Sequence, residues 1–221
     1  MLKIYNTLAR KIEEFVPIDS GTDSARASTE LRRMSSLQAV GIYTCGPTVY
    51  REVHIGNFRT YIGADILRRV LMYNGHRVVH VRNITDVGHM RNIGTDGSAG
   101  SPQVEQIDPI IEEAIKMGKT PTQIAEHFTK IFLEDEKKLN ILPATVYPRA
   151  SENVKEMIEI IKILLKKGFA YQVDGTVYFE VKKFKNYGKL SGNTLDKMDN
   201  LLKAVRVSLE TDKKDSIDFA L

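Results

Sequence analysis

Tryptophan is absent, cysteine occurs once, and no apolar run approaches the roughly 20 residues that a membrane-spanning helix needs. The first absence costs the chain its strongest aromatic anchor and leaves Tyr and Phe to fill the core. One cysteine excludes an internal disulfide framework, and a lone thiol suits a reducing compartment. The opening Met1-Leu2-Lys3-Ile4-Tyr5 lacks the long apolar segment of a signal peptide. Together these absences predict a cytoplasmic protein with no membrane partner. A dominant charge is missing too: 32 Lys and Arg stand against 28 Asp and Glu, a net charge of +4, which permits a polyanionic partner without requiring one. At 221 residues, 42% of them hydrophobic, the chain has enough apolar material for a substantial core.

What is present centres on residues 41–60, where a short apolar run breaks at Cys45-Gly46-Pro47 and a helix starts beyond Gly56. A strand end meeting a helix start is suited to an anion, because free backbone N–H groups and the helix dipole both favour negative charge. Val40–Thr44 reads as a buried strand. Phe58, Ile62, Ile66 and Val70 recur every four residues with Leu67 and Leu71 beside them, Arg59, Arg68 and Arg69 fall on or near the other face, and Asn74-Gly75 is a stop signal. Val78, Val79, Val81 and Ile84 then form a β-branched run. Strand, helix and strand in this span predict a βαβ unit with a parallel pair, hence an α/β fold. Sites on such sheets lie beyond the carboxyl ends of the strands, here 45–57 with 85–89.

The remainder supports that unit. Residues 2–18 alternate loosely and predict a strand or hairpin; the polar stretch 19–38 predicts a mobile loop with a short helical turn near Leu31–Met34. Gly88, Gly94, Gly97 and Gly100 mark 88–107 as a loop without phosphate-binding glycine spacing. Asp108-Pro109 and Thr120-Pro121 open helices, the first ended by Gly118. Ser151 is expected to cap a third helix whose Val154, Met157, Ile158, Ile161, Leu164 and Leu165 form a core-facing stripe. Asp174-Gly175 is a strong hairpin signal between Ala170–Val173 and Thr176–Val181. Residues 182–221 are polar and loop-like, closing on a strand-like Ile217–Leu221.

His54-Ile55-Gly56-Asn57 is similar to the HIGH signature of class I aminoacyl-tRNA synthetases, and Cys45-Gly46-Pro47-Thr48-Val49-Tyr50, starting nine residues upstream of His54, resembles a segment of the cysteine-specific family among them. Arg82-Asn83-Ile84-Thr85-Asp86, Pro148-Arg149-Ala150-Ser151-Glu152, Gly175-Thr176-Val177-Tyr178-Phe179 and Tyr187-Gly188-Lys189-Leu190-Ser191-Gly192 fit that family in order, so the resemblance covers nearly everything except 19–38. It implies a Rossmann-like (HUP-type) parallel sheet, first half, in residues 1–107, and a helical and β-hairpin connective insertion in 108–221. It also implies ATP-dependent activation of cysteine, with magnesium, and transfer to tRNA(Cys) by a protein expected to be a monomer.

Within that resemblance His54 and Asn57 are the expected catalytic groups. Thr48, His54, Gly56 and Asn57 are expected to bind ATP, Gly46 and Thr85 to line the amino-acid pocket, and Cys45 to be one ligand of a zinc ion. Zinc suits the task because it binds a soft thiolate far better than the hydroxyl of serine. The other zinc ligands and the lysine-rich KMSKS loop are expected past Leu221, so the 221 residues are not expected to complete the reaction alone. Lys189-Leu190-Ser191-Gly192 is similar to that loop only superficially, and Val87-Gly88-His89-Met90 departs from the acidic residues many members carry. Two other readings remain at this point: a cysteine ligase acting on an amino-sugar acceptor, and a non-catalytic nucleotide-binding module.

Overall fold

The computed structural model describes residues 2–18, 39–88, 91–93, 105–195, 197–198 and 213–221. The expected 19–38 loop, His89, and glycines 94, 97 and 100 lie outside the described residues. Contacts divide the chain into two compact units, Met1–Phe15 with Val154–Leu221, and Val16–Asn153. The division expected after residue 107 follows the family resemblance and is a different partition from this one.

In the Val16–Asn153 unit, β3 (Ala39–Thr44), α1 (Ile55–Tyr73) and β4 (Arg77–Arg82) form the βαβ unit, with β3 and β4 parallel in register from Ala39 opposite Arg77 to Thr44 opposite Arg82. The stop at Asn74-Gly75 holds. Gly75 has φ of +84°, and the following His76 N–H reaches back to Leu71 O at 3.0 Å. A third extended segment, 144–150, runs parallel along the other edge of β4: Arg82 N–H donates to Val146 O at 3.0 Å and Ile84 N–H to Pro148 O at 2.8 Å.

Two expectations about this unit need correction. Of the expected apolar face, α1 buries Phe58 and Leu71, but the stripe runs through Tyr61 and Asp65, while Ile62, Ile66 and Val70 are 36%, 57% and 37% exposed. Polar anchors set that rotation. Asp65 accepts the Leu142 N–H at 3.0 Å and pairs with Arg69, whose guanidinium also donates to Asn140 O at 2.7 Å; Arg68 donates to Pro143 O at 2.6 Å. The arginine side therefore docks on 140–143, and an apolar period alone does not reveal such anchors. Likewise β3 is covered on one face only: Val40 is buried, whereas Tyr43 is 68% exposed.

α2 (Pro109–Met117) and α3 (Pro121–Lys138) complete the core, and both start as expected. Asp108 accepts from Ile110 N–H at 2.8 Å, and Thr120 with Gln123 makes a reciprocal capping box. Phe132 of α3 stacks on Phe58 and meets Tyr61 edge to face, with Val49, Ile84, Ala125 and Ile141 around them. Burying each such side chain contributes about 1.5–3 kcal/mol. The stretch expected to be a loop, 88–107, carries a short antiparallel pair at its ends, β5 (Arg91–Ile93) and β6 (Glu105–Ile107).

The other unit holds the expected hairpin of β1 (Lys3–Asn6) and β2 (Lys11–Glu14), then α4 (Val154–Lys166), β7 (Ala170–Val173), β8 (Thr176–Phe179) and β9 (Phe219–Ala220). The β7–β8 turn places Asp174 at φ +45° and Gly175 at φ +86°, the left-handed pair that a two-residue hairpin requires. β9 joins β8 antiparallel, so the strand-like terminal stretch is a strand. Ser151 does not cap α4. It opens a 3-10 turn, Ser151–Asn153, and its hydroxyl donates to Asp86 Oδ2 at 2.6 Å. No residue of α4 is buried; Val154, Met157 and Ile158 are 41%, 44% and 45% exposed, against the expectation of a core-facing stripe. Among the described residues, no helix is long and apolar enough to cross a membrane.

Candidate active site

At the carboxyl ends of β3 and β4 the parallel ladder loses its regular register. Thr44 stands opposite Arg82, yet the next bridge joins Thr48 to Thr85, so residues 45–47 oppose only 83–84. This is a one-residue bulge, which re-aims the side chains it carries. Cys45 lies in it and is exposed. Beyond it the chains re-engage: Thr85 N–H donates to Pro47 O at 3.0 Å, and Val49 N–H to Thr85 O at 3.1 Å. Gly46 sits against the opposing main chain, where an added Cβ would stand 1.7 Å from Asn83 O. A side chain there is excluded by backbone, so the site requires glycine.

α1 then begins at Ile55 with His54 as its N-cap. The His54 Nδ1 accepts the Gly56 N–H at 3.0 Å, and His54 O accepts from Asn57 N–H at 2.9 Å. Because Nδ1 is the acceptor, the neutral ring carries its proton on Nε2 and has a donor left to offer. A Cβ on Gly56 would come within 3.1 Å of that Nδ1, so glycine permits the cap geometry. The helix carries no acidic residue in its first turn, and its dipole is not neutralised there.

Between bulge and helix lies a cavity of about 300 Å³ that brings together Cys45, Gly46, Thr48, His54 and Asn57. Thr85 and Gly56 do not line it: Thr85 acts through its main chain and accepts from Asn83 Nδ2 at 3.1 Å, and Gly56 through the His54 cap. Tyr50, Arg51, Glu52, Val53 and Tyr61 also line it, and the sequence reading assigned them no role. Tyr61 is detectable in hindsight, one helical turn after Asn57 on the same face. Burial pushes its phenol above the ordinary value, against the lowering by Arg82 and with a smaller rise from Cys45, so Tyr61 remains an O–H donor at neutral pH. Arg51 and Glu52 carry opposite charges into the same cavity, a difference invisible to periodicity because both sit in a connection.

Behind the cavity a buried polar cluster fixes the strand ends. Arg82 pairs with Glu136, lies 4.7 Å from the Tyr61 ring centre and donates from Nε to Thr44 Oγ1 at 3.2 Å. Tyr147 donates to Glu136 Oε2 at 2.8 Å while accepting the Ala144 N–H at 2.9 Å. Thr44 Oγ1 is also 2.9 Å from His80 Nε2. Burial, reinforced by Arg82 and Arg68, lowers the His80 pKa to about 4, so the ring is neutral near pH 7. Asp86 accepts both the N–H and the hydroxyl of Ser151, at 2.9 and 2.6 Å, and ties the end of β4 to the 144–150 segment's exit.

For a zinc ion the fit is poor with the residues in hand. Among the described residues no group of three or more His, Cys, Asp or Glu is placed to hold a metal, and Cys45 offers a single thiol.

Comparison with known proteins gives a consistent answer. The family described as tRNA synthetases class I (C) catalytic domain matches residues 32–93 and 103–221. A Cysteine--tRNA ligase of Methanococcus maripaludis (strain C6) is 40% identical over 221 residues, covering 100% of this chain and 38% of that protein. The Pyrococcus horikoshii protein of the same description is 41% identical over 220 residues, 100% of this chain and 38% of its own. That of Limosilactobacillus reuteri is 39% identical over 222 residues, 100% and 40%. The chain therefore spans about two-fifths of the length of the relatives it matches.

Proposed function

We propose, for a chain that belongs to the family of class I (C) tRNA synthetase catalytic domains, that it is the part of a cysteine–tRNA ligase that binds ATP and cysteine. The observation that carries this reading is the cavity joining Cys45, Gly46 and Thr48 of the bulge to His54 and Asn57 at the start of α1. Activation of an amino acid by ATP places growing negative charge on phosphoryl oxygens, which preplaced donors must meet. The His54 Nε2–H, the Asn57 side chain and the N–H groups opening α1 supply donors there, with Thr48 also lining the cavity. Magnesium would accompany the ATP. Gly46 and Thr85 then shape the cysteine pocket, Thr85 by holding the bulge from behind.

Zinc in this reading takes Cys45 as one donor and needs others that the described residues do not hold, so no step is routed through it. A Rossmann-like catalytic half in 1–107 with a connective insertion in 108–221 fits the parallel β3–β4 pair and the hairpin of β7 and β8. A cytoplasmic monomer that passes cysteine to tRNA(Cys) completes the proposal.

The test is calorimetric titration of the 221-residue chain with magnesium ATP. His54→Ala and Asn57→Ala should each weaken binding about tenfold, the loss of one well-placed hydrogen bond to a charged group. Equal affinity in all three proteins would remove the nucleotide from this cavity. Cysteine-dependent ATP–pyrophosphate exchange by the 221 residues alone would show that no further zinc donor is needed.

A further inference from the structure

The bulge that presents Cys45 is fastened by one side chain, and we propose that Asn83 is the positioning residue that sets where Cys45 and Gly46 stand in the cavity. Three residues, 45–47, have to be accommodated opposite two, 83–84, between the Thr44–Arg82 pair and the Thr48–Thr85 bridge. Asn83 spans that irregularity. Its Oδ1 accepts the Gly46 N–H at 2.9 Å and the Tyr43 hydroxyl at 3.1 Å, and its Nδ2 donates to Thr85 Oγ1 at 3.1 Å. The side chain thus ties the last turn of β3, the bulge itself and the residue that restarts the pairing.

The main chain of the same residue completes the clamp. Asn83 O occupies the space a Cβ on Gly46 would enter, so residue 46 is held by the Asn83 amide oxygen and has no room for a side chain against the Asn83 carbonyl. Among the described residues the Cys45 thiol has one hydrogen-bonding contact, 3.7 Å to Gly46 O, so its direction follows the peptide that Asn83 holds. The position must accept twice, from the Gly46 N–H and the Tyr43 hydroxyl; asparagine does so and also donates to Thr85 Oγ1, while aspartate supplies the acceptors and lets the Thr85 hydroxyl turn donor. This inference rests on the reading of the cavity as the cysteine site only for its consequence, not for its geometry.

The experiment is amide hydrogen exchange on the metal-free, substrate-free 221-residue chain, with iodoacetamide labelling of its single cysteine as a second readout. In the unaltered chain the Gly46 amide should be protected. In Asn83→Ala it should exchange at least about fivefold faster while Val79 and Val81 within β4 keep their protection, and the Cys45 labelling rate should change about threefold or more. Asn83→Asp should return both readouts toward the unaltered values. Gly46 and β4 amides rising together would make Asn83 a merely structural residue and overturn the proposal, as would unchanged Gly46 exchange in Asn83→Ala. If that variant does not fold, a Gly46 amide that is unprotected in the unaltered chain, or equally fast in Asn83→Asp and an unfolded peptide, overturns it as well. Because no nucleotide or metal is present, failure of ATP binding would sink the functional reading and leave the clamp standing, and unprotected Gly46 would do the reverse.

Discussion

Glu136 and Asp218 are buried carboxylates, each 3% exposed, one in each unit, and they are satisfied in opposite ways. Glu136 meets a cation, Arg82, with Tyr147 as a second donor. Asp218 meets neutral donors: the Tyr171 hydroxyl at 2.8 Å on one oxygen and the Val181 N–H at 3.0 Å on the other. Tyr171 in turn accepts the Lys214 N–H at 2.8 Å, and the Lys214 ammonium stands 4.3 Å from its ring centre, outside the carboxylate's own shell. Both arrangements fasten distant segments, but removing a partner has different consequences. Loss of Arg82 or Glu136 strands a charge where water does not reach; loss of a neutral donor strands only part of one carboxylate's bonding capacity.

The sharpest way to break that comparison is Arg82→Met. It should lower the stability of the Val16–Asn153 unit by about 3–5 kcal/mol, and Arg82→Met with Glu136→Leu should recover much of the loss, since an apolar pair replaces a buried ion pair at little cost. Exchange rates of β4 amides against β8 amides would read the effect unit by unit; equal losses in both units would remove the distinction drawn here. Next in size, Asp218→Ala should cost the β7–β8–β9 unit about 1–3 kcal/mol and first loosen β9, measured by exchange at Leu221, whose N–H donates to Val177 O.

Between pH 6.5 and about 4, His80 gives the Glu136 side of the comparison its own acid response. His80 has a folded pKa near 4 against an ordinary 6.5, so the unfolded chain binds a proton that the folded chain refuses between those values. Stability from this group is complete above pH 6.5 and falls as pH drops toward 4, by on the order of 1–3 kcal/mol. Urea unfolding at several pH values should show that limb, and His80→Gln should flatten it. The smallest effect is Tyr147→Phe, which leaves the Arg82–Glu136 pair but removes one donor, and should cost about 1 kcal/mol in the same unfolding measurement.

Legibility in the sequence followed the range of the interaction. Local signals were sound: Asp108 and Thr120 cap helices, Gly75 and Gly118 end them, and Asp174-Gly175 turns a hairpin, because each depends on its neighbours within a few residues. The parallel β3–β4 pair was also readable from the strand–helix–strand order. The rotation of α1 was not, because Asp65 and Arg68 are fixed by the 140–143 segment, over 70 residues away. Ser151 showed the same weakness: a good local cap residue was drawn off by Asp86, 65 positions earlier. The strongest apolar stripe, on α4, marked a face that favours contact without saying what supplies it. For the site, the His54–Asn57 block and Cys45 were recognisable as a motif, whereas Asn83, Tyr61 and the bulge depend on two strands lying in register with a slip of one.

The Arg82–Glu136 pair also orders events during synthesis. Glu136 lies 54 residues after Arg82. At about 5–20 residues per second, a ribosome needs roughly 3–11 s to deliver it. Throughout that interval β3, α1 and β4 can emerge, yet the guanidinium at the end of β4 has no carboxylate to meet. Until α3 leaves the exit tunnel, the nascent βαβ unit lacks the carboxylate that pairs with its Arg82 guanidinium in the folded protein.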